Sequence, residues 1–233
     1  MPRTARVVIP DVPLHVRQRG NRREDVFFRK QDRLLFLRLL ARYAPANGLG
    51  INAYCLMTNH IHLVVTPGTE DSLAATLRPL NTCYSQHVNC TQGFTGHLWQ
   101  SRPYSCLLDV PHFWAAVRYV ERNPVRAHMI RRAQEYPWSS AAAHCGLRPD
   151  PLLSGDLEQA DRVGDCPAWL ADEDDERDLA ALRTATRTGR PAGDETFVHR
   201  LEHLCGKLLR PRPRGRPTKG KADGALQKVK TRK

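Results

Sequence analysis

The 233-residue chain has no apolar run approaching the roughly 20 residues that a membrane-spanning helix needs. Its first residues, Met1 to Arg6, lack the apolar core of a secretory leader. The expected setting is therefore cytoplasmic and nucleoid-associated, with no membrane partner. No Cys-x-x-Cys pair occurs among the seven cysteines, and their number is odd. That argues against a zinc ribbon or a disulfide framework and predicts buried or idle thiols. No internal repeat or long low-complexity tract is present, which excludes a solenoid. Only the tripeptide Gly-Arg-Pro recurs, at 189–191 and 215–217.

What the chain does have is segregated charge. The net charge is +12. Residues 1–149 hold 19 Lys/Arg against 9 Asp/Glu, residues 150–180 hold 2 against 11, and residues 206–233 hold 11 against 1. Two basic blocks thus flank an acidic one. A basic block attracts a polyanion because each neutralised phosphate releases counterions, so nucleic acid is the expected partner. The same composition shifts suggest boundaries: a folded domain over 1–149, an acidic linker over 150–177, a small helical module over 178–209, and a basic tail over 210–233.

Hydrophobic spacing supplies the elements. Residues 13–28 read as a strand followed by a polar turn at Gly20-Asn21. Residues 31–44 carry Leu34, Leu35 and Leu39 at helical spacing, stopped by Pro45 and Asn47-Gly48. Residues 50–66 are rich in Val, Ile and Tyr and read as strand, with a break at Thr58-Asn59 that splits it in two. A second helix covers 70–90, loop and strand fill 91–110, and a third helix covers 110–122, ended by Asn123-Pro124. The order predicts an α+β fold: a ferredoxin-like antiparallel sheet with helices on one face, plus a small helical and basic C-terminal appendage.

Three groups of residues carry chemistry. On a strand, positions i and i+2 share a face, so His60 and His62 converge while Ile61, Leu63 and Val65 pack on the other side. Two imidazoles with open positions beside them suit one divalent metal. Ten histidines supply about 0.4 such pairs by chance, so the pair alone more often marks a partly exposed structural role than a metal site. On the third helix Phe113, Ala116, Val117 and Val120 form the apolar stripe, and Tyr119 lies beside it. Tyr119 is either a core-edge tyrosine or a group reaching over a cleft. Asn123, one turn later, can bring an amide oxygen to the same point. In the tail, Arg214-Gly215-Arg216-Pro217 has the form of an AT-hook, whose arginines favour a narrow minor groove, or of a basic tail with only phosphate attraction.

Five motifs in order resemble the REP-associated tyrosine transposases, HUH-type relatives of the single-tyrosine insertion-sequence transposases. They are Leu14-His15-Val16 with Arg19-Gly20-Asn21, then Met57-Thr58-Asn59-His60-Ile61-His62-Leu63, then Gly96-His97-Leu98-Trp99-Gln100-Ser101-Arg102, then Tyr119 with Asn123-Pro124-Val125-Arg126-Ala127, and Tyr136-Pro137-Trp138-Ser139-Ser140. The resemblance spans residues 13–145, with further likeness from Thr188 through Pro217. It implies that His60 and His62 are metal ligands, that Tyr119 is the nucleophile, and that Asn123 stands where relatives place a third ligand. Pro103 and His128-Met129 depart from the usual pattern, in which an aromatic and Gly-Leu are found.

The resemblance implies a metal-dependent enzyme that nicks and rejoins single-stranded or hairpin DNA, acting as monomer or homodimer with Mg2+ or Mn2+. The ion on His60 and His62 would polarise the scissile phosphate, and Tyr119 would attack to leave a 5′-phosphotyrosine and a free 3′-hydroxyl. Arg118, Arg122 and Arg126 are the cations near enough in sequence to assist the phenol, and Trp99, Phe94 and Tyr104 are candidates for stacking unpaired bases. Competing readings are a decayed or domesticated protein that binds DNA hairpins without cutting, a metal hydrolase that uses water, and an RNA-binding protein.

Overall fold

A computed structural model describes residues 6–154 and 165–210. Four antiparallel strands form one sheet: β1 (Leu14–Arg19), β2 (Leu49–Leu56), β3 (His60–Pro67) and β4 (Tyr104–Leu107), in the order β2-β3-β1-β4. Helices α1 (Lys30–Ala46) and α2 (Ser72–Gln92) make the two crossovers, which gives the ferredoxin-like arrangement read from the sequence. They are followed by α3 (Val110–Glu121), α4 (Asn123–Arg126), α5 (Ala141–His144), α6 (Cys166–Ala171), α7 (Glu176–Thr188) and α8 (Glu195–Cys205).

Strand alternation sorts the side chains. Leu14 and Val16 of β1 and Ile61, Leu63 and Val65 of β3 join Phe36 and Leu40 of α1 and Leu73, Leu77, Leu80 and Tyr84 of α2 in one core. Burying each Leu, Ile or Val there is worth about 1.5–3 kcal/mol. The intervening positions, His15, Arg17, Arg19, His60, His62 and Val64, therefore point to the opposite face. That face carries helices as well. Val117 and Val120 of α3 and Leu179, Leu182 and Ala185 of α7 pack there against Ala53, Cys55, Val64 and Cys106. The histidine face is thus roofed by α3 and α7, in addition to the pair of helices on the far side.

Residues 176–209 are part of these cores. Besides the α7 residues, Phe197 and Leu201 of α8 and Leu209 join the α1–α2 core. The backbone also closes here: Ala192 N donates to Leu107 O at 2.8 Å and Asp109 N to Ala192 O at 3.1 Å. Cys145 and Cys166 form a disulfide, Cα atoms 5.2 Å apart, so two of the seven thiols expected to be idle are paired. The basic tail with its AT-hook-like motif lies outside the described residues.

Candidate active site

Register places the histidines. Arg17 stands opposite His62 and Arg19 opposite His60 between β1 and β3, and His15 sits opposite Val64 on the same face. The rings of His60 and His62 lie 5.0 Å apart between centroids, at 77° to each other. Among the described residues no group of three His, Cys, Asp or Glu side chains is placed to hold a metal ion. Two protein nitrogens, with the remaining positions left to water and phosphate, is the donor set that the sequence pattern implies.

Both imidazoles are uncharged and donor-ready. Burial, aided by Arg19 and Arg17, holds His60 down at about 3. Burial comes first for His62 too, with His15, His60, Arg17 and Arg126 adding to it, and keeps it well below the ordinary imidazole range. A neutral imidazole has one bare nitrogen, and its hydrogen-bond partner decides which. For His60 that partner is Asn59. Asn59 Nδ2 donates to Arg23 O at 2.9 Å, which fixes the amide orientation. Its Oδ1 therefore faces His60 Nδ1 at 2.6 Å and can only accept. His60 carries its proton on Nδ1 and leaves Nε2 bare.

The Arg19-Gly20-Asn21 turn serves this arrangement. Gly20 N donates to Asn59 O at 2.9 Å. A Cβ on Gly20 would come within 2.3 Å of Glu24 O, so the backbone approach here excludes any other residue.

Tyr119 is delivered by α3, whose N-terminus is capped by Asp109 accepting from His112 N at 2.9 Å. Its ring meets His62 edge-on with centroids 5.3 Å apart, and His15 likewise at 5.6 Å. The residue is 7% exposed. The guanidinium of Arg126 lies 4.4 Å from the ring centroid and that of Arg183, from α7, at 5.8 Å. Of the three arginines singled out by sequence, Arg126 is the one over the phenol ring. Arg118 donates to the Asp172 and Glu173 carbonyls, and Arg122 to Asp174, at 3.1 Å, and to the Leu170 and Asp172 carbonyls. Asp174 also anchors Arg126, at 2.9 Å.

Asn123 sits one turn beyond Tyr119, with its Nδ2 donating to Tyr119 O at 2.8 Å and Val120 O at 3.2 Å. Only its Oδ1 is left to offer elsewhere. Of the stacking candidates, Tyr104 stands opposite Arg17 on this face, while the other two lie elsewhere. Trp99 packs against Tyr84 and Phe36 on the α1–α2 side, and Phe94 is exposed beside Phe28. Sequence reasoning did not place His15, Thr186 or Arg183 at the site. Alternation along β1 was the available signal for His15; nothing local marks the two residues of α7.

Chains of known structure and family bear on this geometry. A solved structure of a REP-associated tyrosine transposase bound to a REP hairpin is similar to the chain over 67% of its length and 93% of that chain, with a TM-score of 0.53 and 19% identity, which speaks to the fold. No curated protein matches. The family model described as Transposase IS200 like matches residues 9–123, a span that contains His60, His62, Tyr119 and Asn123. The chain belongs to the IS200-like transposase family.

Proposed function

We propose that this transposase cleaves and rejoins single-stranded DNA beside hairpins of palindromic repeats, through a 5′-phosphotyrosine on Tyr119. The observation that carries the reading is the edge-on approach of the Tyr119 ring to His62, 5.3 Å between centroids, on the face where His60 also points. The hairpin as substrate rests on the REP hairpin bound by the similar solved structure.

The residues present fit a divalent ion, since both imidazoles are neutral and His60 has a bare Nε2. When bound by His60 and His62, Mg2+ or Mn2+ would supply Lewis acidity at a nonbridging oxygen of the scissile phosphate. Asn123 Oδ1 is the candidate for a further ligand. Arg17 and Arg19, on the same sheet face, would balance the phosphate charge, and Arg126 would hold the phenol ring that attacks. In that attack the Tyr119 oxygen forms its bond to phosphorus, the P–O3′ bond breaks, and the 3′-oxygen leaves to take up a proton. The reverse attack by a DNA 3′-hydroxyl reseals the strand without ATP, because the ester to tyrosine conserves the bond energy. Tyr119 and the imidazoles belong to one chain, so this reading needs no second copy.

A second reading, hairpin binding without cleavage, is favoured by the low exposure of Tyr119, 7%, which leaves little of the side chain for DNA to reach. One experiment separates the two. The full chain is incubated with a single-stranded hairpin oligonucleotide and Mn2+, then run on a denaturing gel. Wild type gives a covalent adduct; Tyr119→Phe gives none and retains hairpin binding. Nicking by Tyr119→Phe at the wild-type rate refutes the tyrosine mechanism, and a wild type that binds but forms no adduct supports the binder.

A further inference from the structure

His62 makes a contact that no sequence motif accounts for. Its Nδ1 lies 2.9 Å from Nε2 of His15, the two rings within 3° of parallel. Nδ1 of His15 lies 2.7 Å from the Thr186 hydroxyl, and that hydroxyl lies 2.8 Å from the carbonyl of Leu182 one turn back in α7. His15, His62 and Thr186 are all buried, so water does not compete for these bonds.

The direction of the chain is set from its end. A carbonyl only accepts, so the single proton of Thr186 is directed to Leu182 O, a common back-bond of helical threonines. The Thr186 oxygen must then accept from His15 Nδ1–H. The thiol of Cys106, 3.3 Å away, can donate into the same oxygen and does not compete for its proton. His15 is buried and its two ring nitrogens face a hydroxyl and a second imidazole, with no carboxylate among these partners, so it is neutral and has one N–H. That proton being on Nδ1, Nε2 of His15 accepts, and His62 must donate from Nδ1. The opposite direction would put the proton of His62 on Nε2 and block that nitrogen.

We propose that His15 and Thr186 are positioning residues that hold His62 in its Nδ1–H tautomer, so that Nε2 is the atom His62 offers to a divalent cation. Asn59 does the same for His60, so both ligands offer the same ring nitrogen. Thr186 lies beyond the family-matched span of residues 9–123, so a helix outside that span sets the state of a ligand inside it. Outer partners of this kind change metal affinity by about 10–100-fold. The inference deepens the metal reading given above and rests on it.

The test uses the full chain with 15N-labelled histidine, free of metal. Long-range proton–nitrogen correlation reads which ring nitrogen carries hydrogen, and both His15 and His62 are expected as Nδ1–H. Mn2+ affinity is then measured by paramagnetic resonance titration without DNA. Thr186→Val removes the hydroxyl and is expected to weaken Mn2+ binding about tenfold and to shift the His15 nitrogen pattern. Thr186→Ser keeps the hydroxyl without the methyl and is expected to restore both, which separates the hydrogen bond from packing. A wild-type His62 protonated on Nε2 overturns the proposal. So does a Thr186→Val chain with wild-type affinity, or a Thr186→Ser chain as weak as the valine. Should wild type bind no Mn2+, the metal reading fails alone, and the nitrogen spectra still decide the tautomer.

Discussion

His128 follows the short helix α4 with φ at +54°, in the left-handed region where a side chain costs roughly 1–2 kcal/mol. Its N–H donates to Val125 O and that of Met129 to Pro124 O, both at 2.9 Å, the pattern by which a glycine commonly ends a helix. The departure from Gly-Leu noted in the sequence thus falls on a position whose backbone favours glycine. His128→Gly is expected to raise stability by about 1 kcal/mol, a melting rise of about 2–4 °C for a chain of this size. Calorimetry showing a lower melting point would contradict the backbone argument. Other residues were legible for equally local reasons. His60 and His62 share a face by strand period, and Tyr119 flanks a helical apolar stripe. His15 was visible in a motif, yet its role was not, because a sequence does not say which strand lies beside β3.

Among the elements, α3 matters most, since it carries the phenol. Its C-terminal end is tied down by Glu121, which is fully buried. Glu121 Oε1 accepts from Ser140 Oγ at 2.5 Å and from His144 Nδ1 at 2.6 Å. Burial works against a charged His144, but the hydrogen bond and charge of Glu121 outweigh it, and the group is raised above its ordinary 6.5. A raised value means that the folded state holds this proton more tightly than the unfolded chain does. The stabilisation is complete below about pH 6.5 and is lost as pH rises through the raised value. Melting curves across that interval are expected to decline for wild type and to flatten for His144→Gln; parallel curves would dismiss the pair as an anchor. The element boundaries themselves were mostly readable. The break at Thr58-Asn59 is where β2 and β3 part, while α1 runs one residue past Pro45, to Ala46, before it ends.

At the scale of the whole molecule, the charge blocks were plain in the sequence but their pairing was not. The acidic stretch was expected to be a linker. In the fold Asp174 bridges Arg122 and Arg126, at the end of α3 and in α4. The helices after it fill core volume, with Leu182 2% exposed between α3 and the sheet. Sequence periodicity marks α7 as amphipathic, but what its apolar side covers depends on tertiary packing. Leu182→Ala is expected to cost about 2–5 kcal/mol, as for other leucines deleted from a core. Urea unfolding of the full chain measures it, and a loss below about 0.5 kcal/mol would mark α7 as peripheral.

The distance along the chain between His15 and Thr186, 171 positions, also has a meaning in time. A ribosome makes β1 early and α7 late, at roughly 5–20 residues per second, so roughly 10–30 s separate the two halves of the histidine face. Late in that interval the emerging chain holds His60, His62 and Tyr119 but still has no α7 to cover them. Assembly of this face therefore waits for α7 to be synthesised.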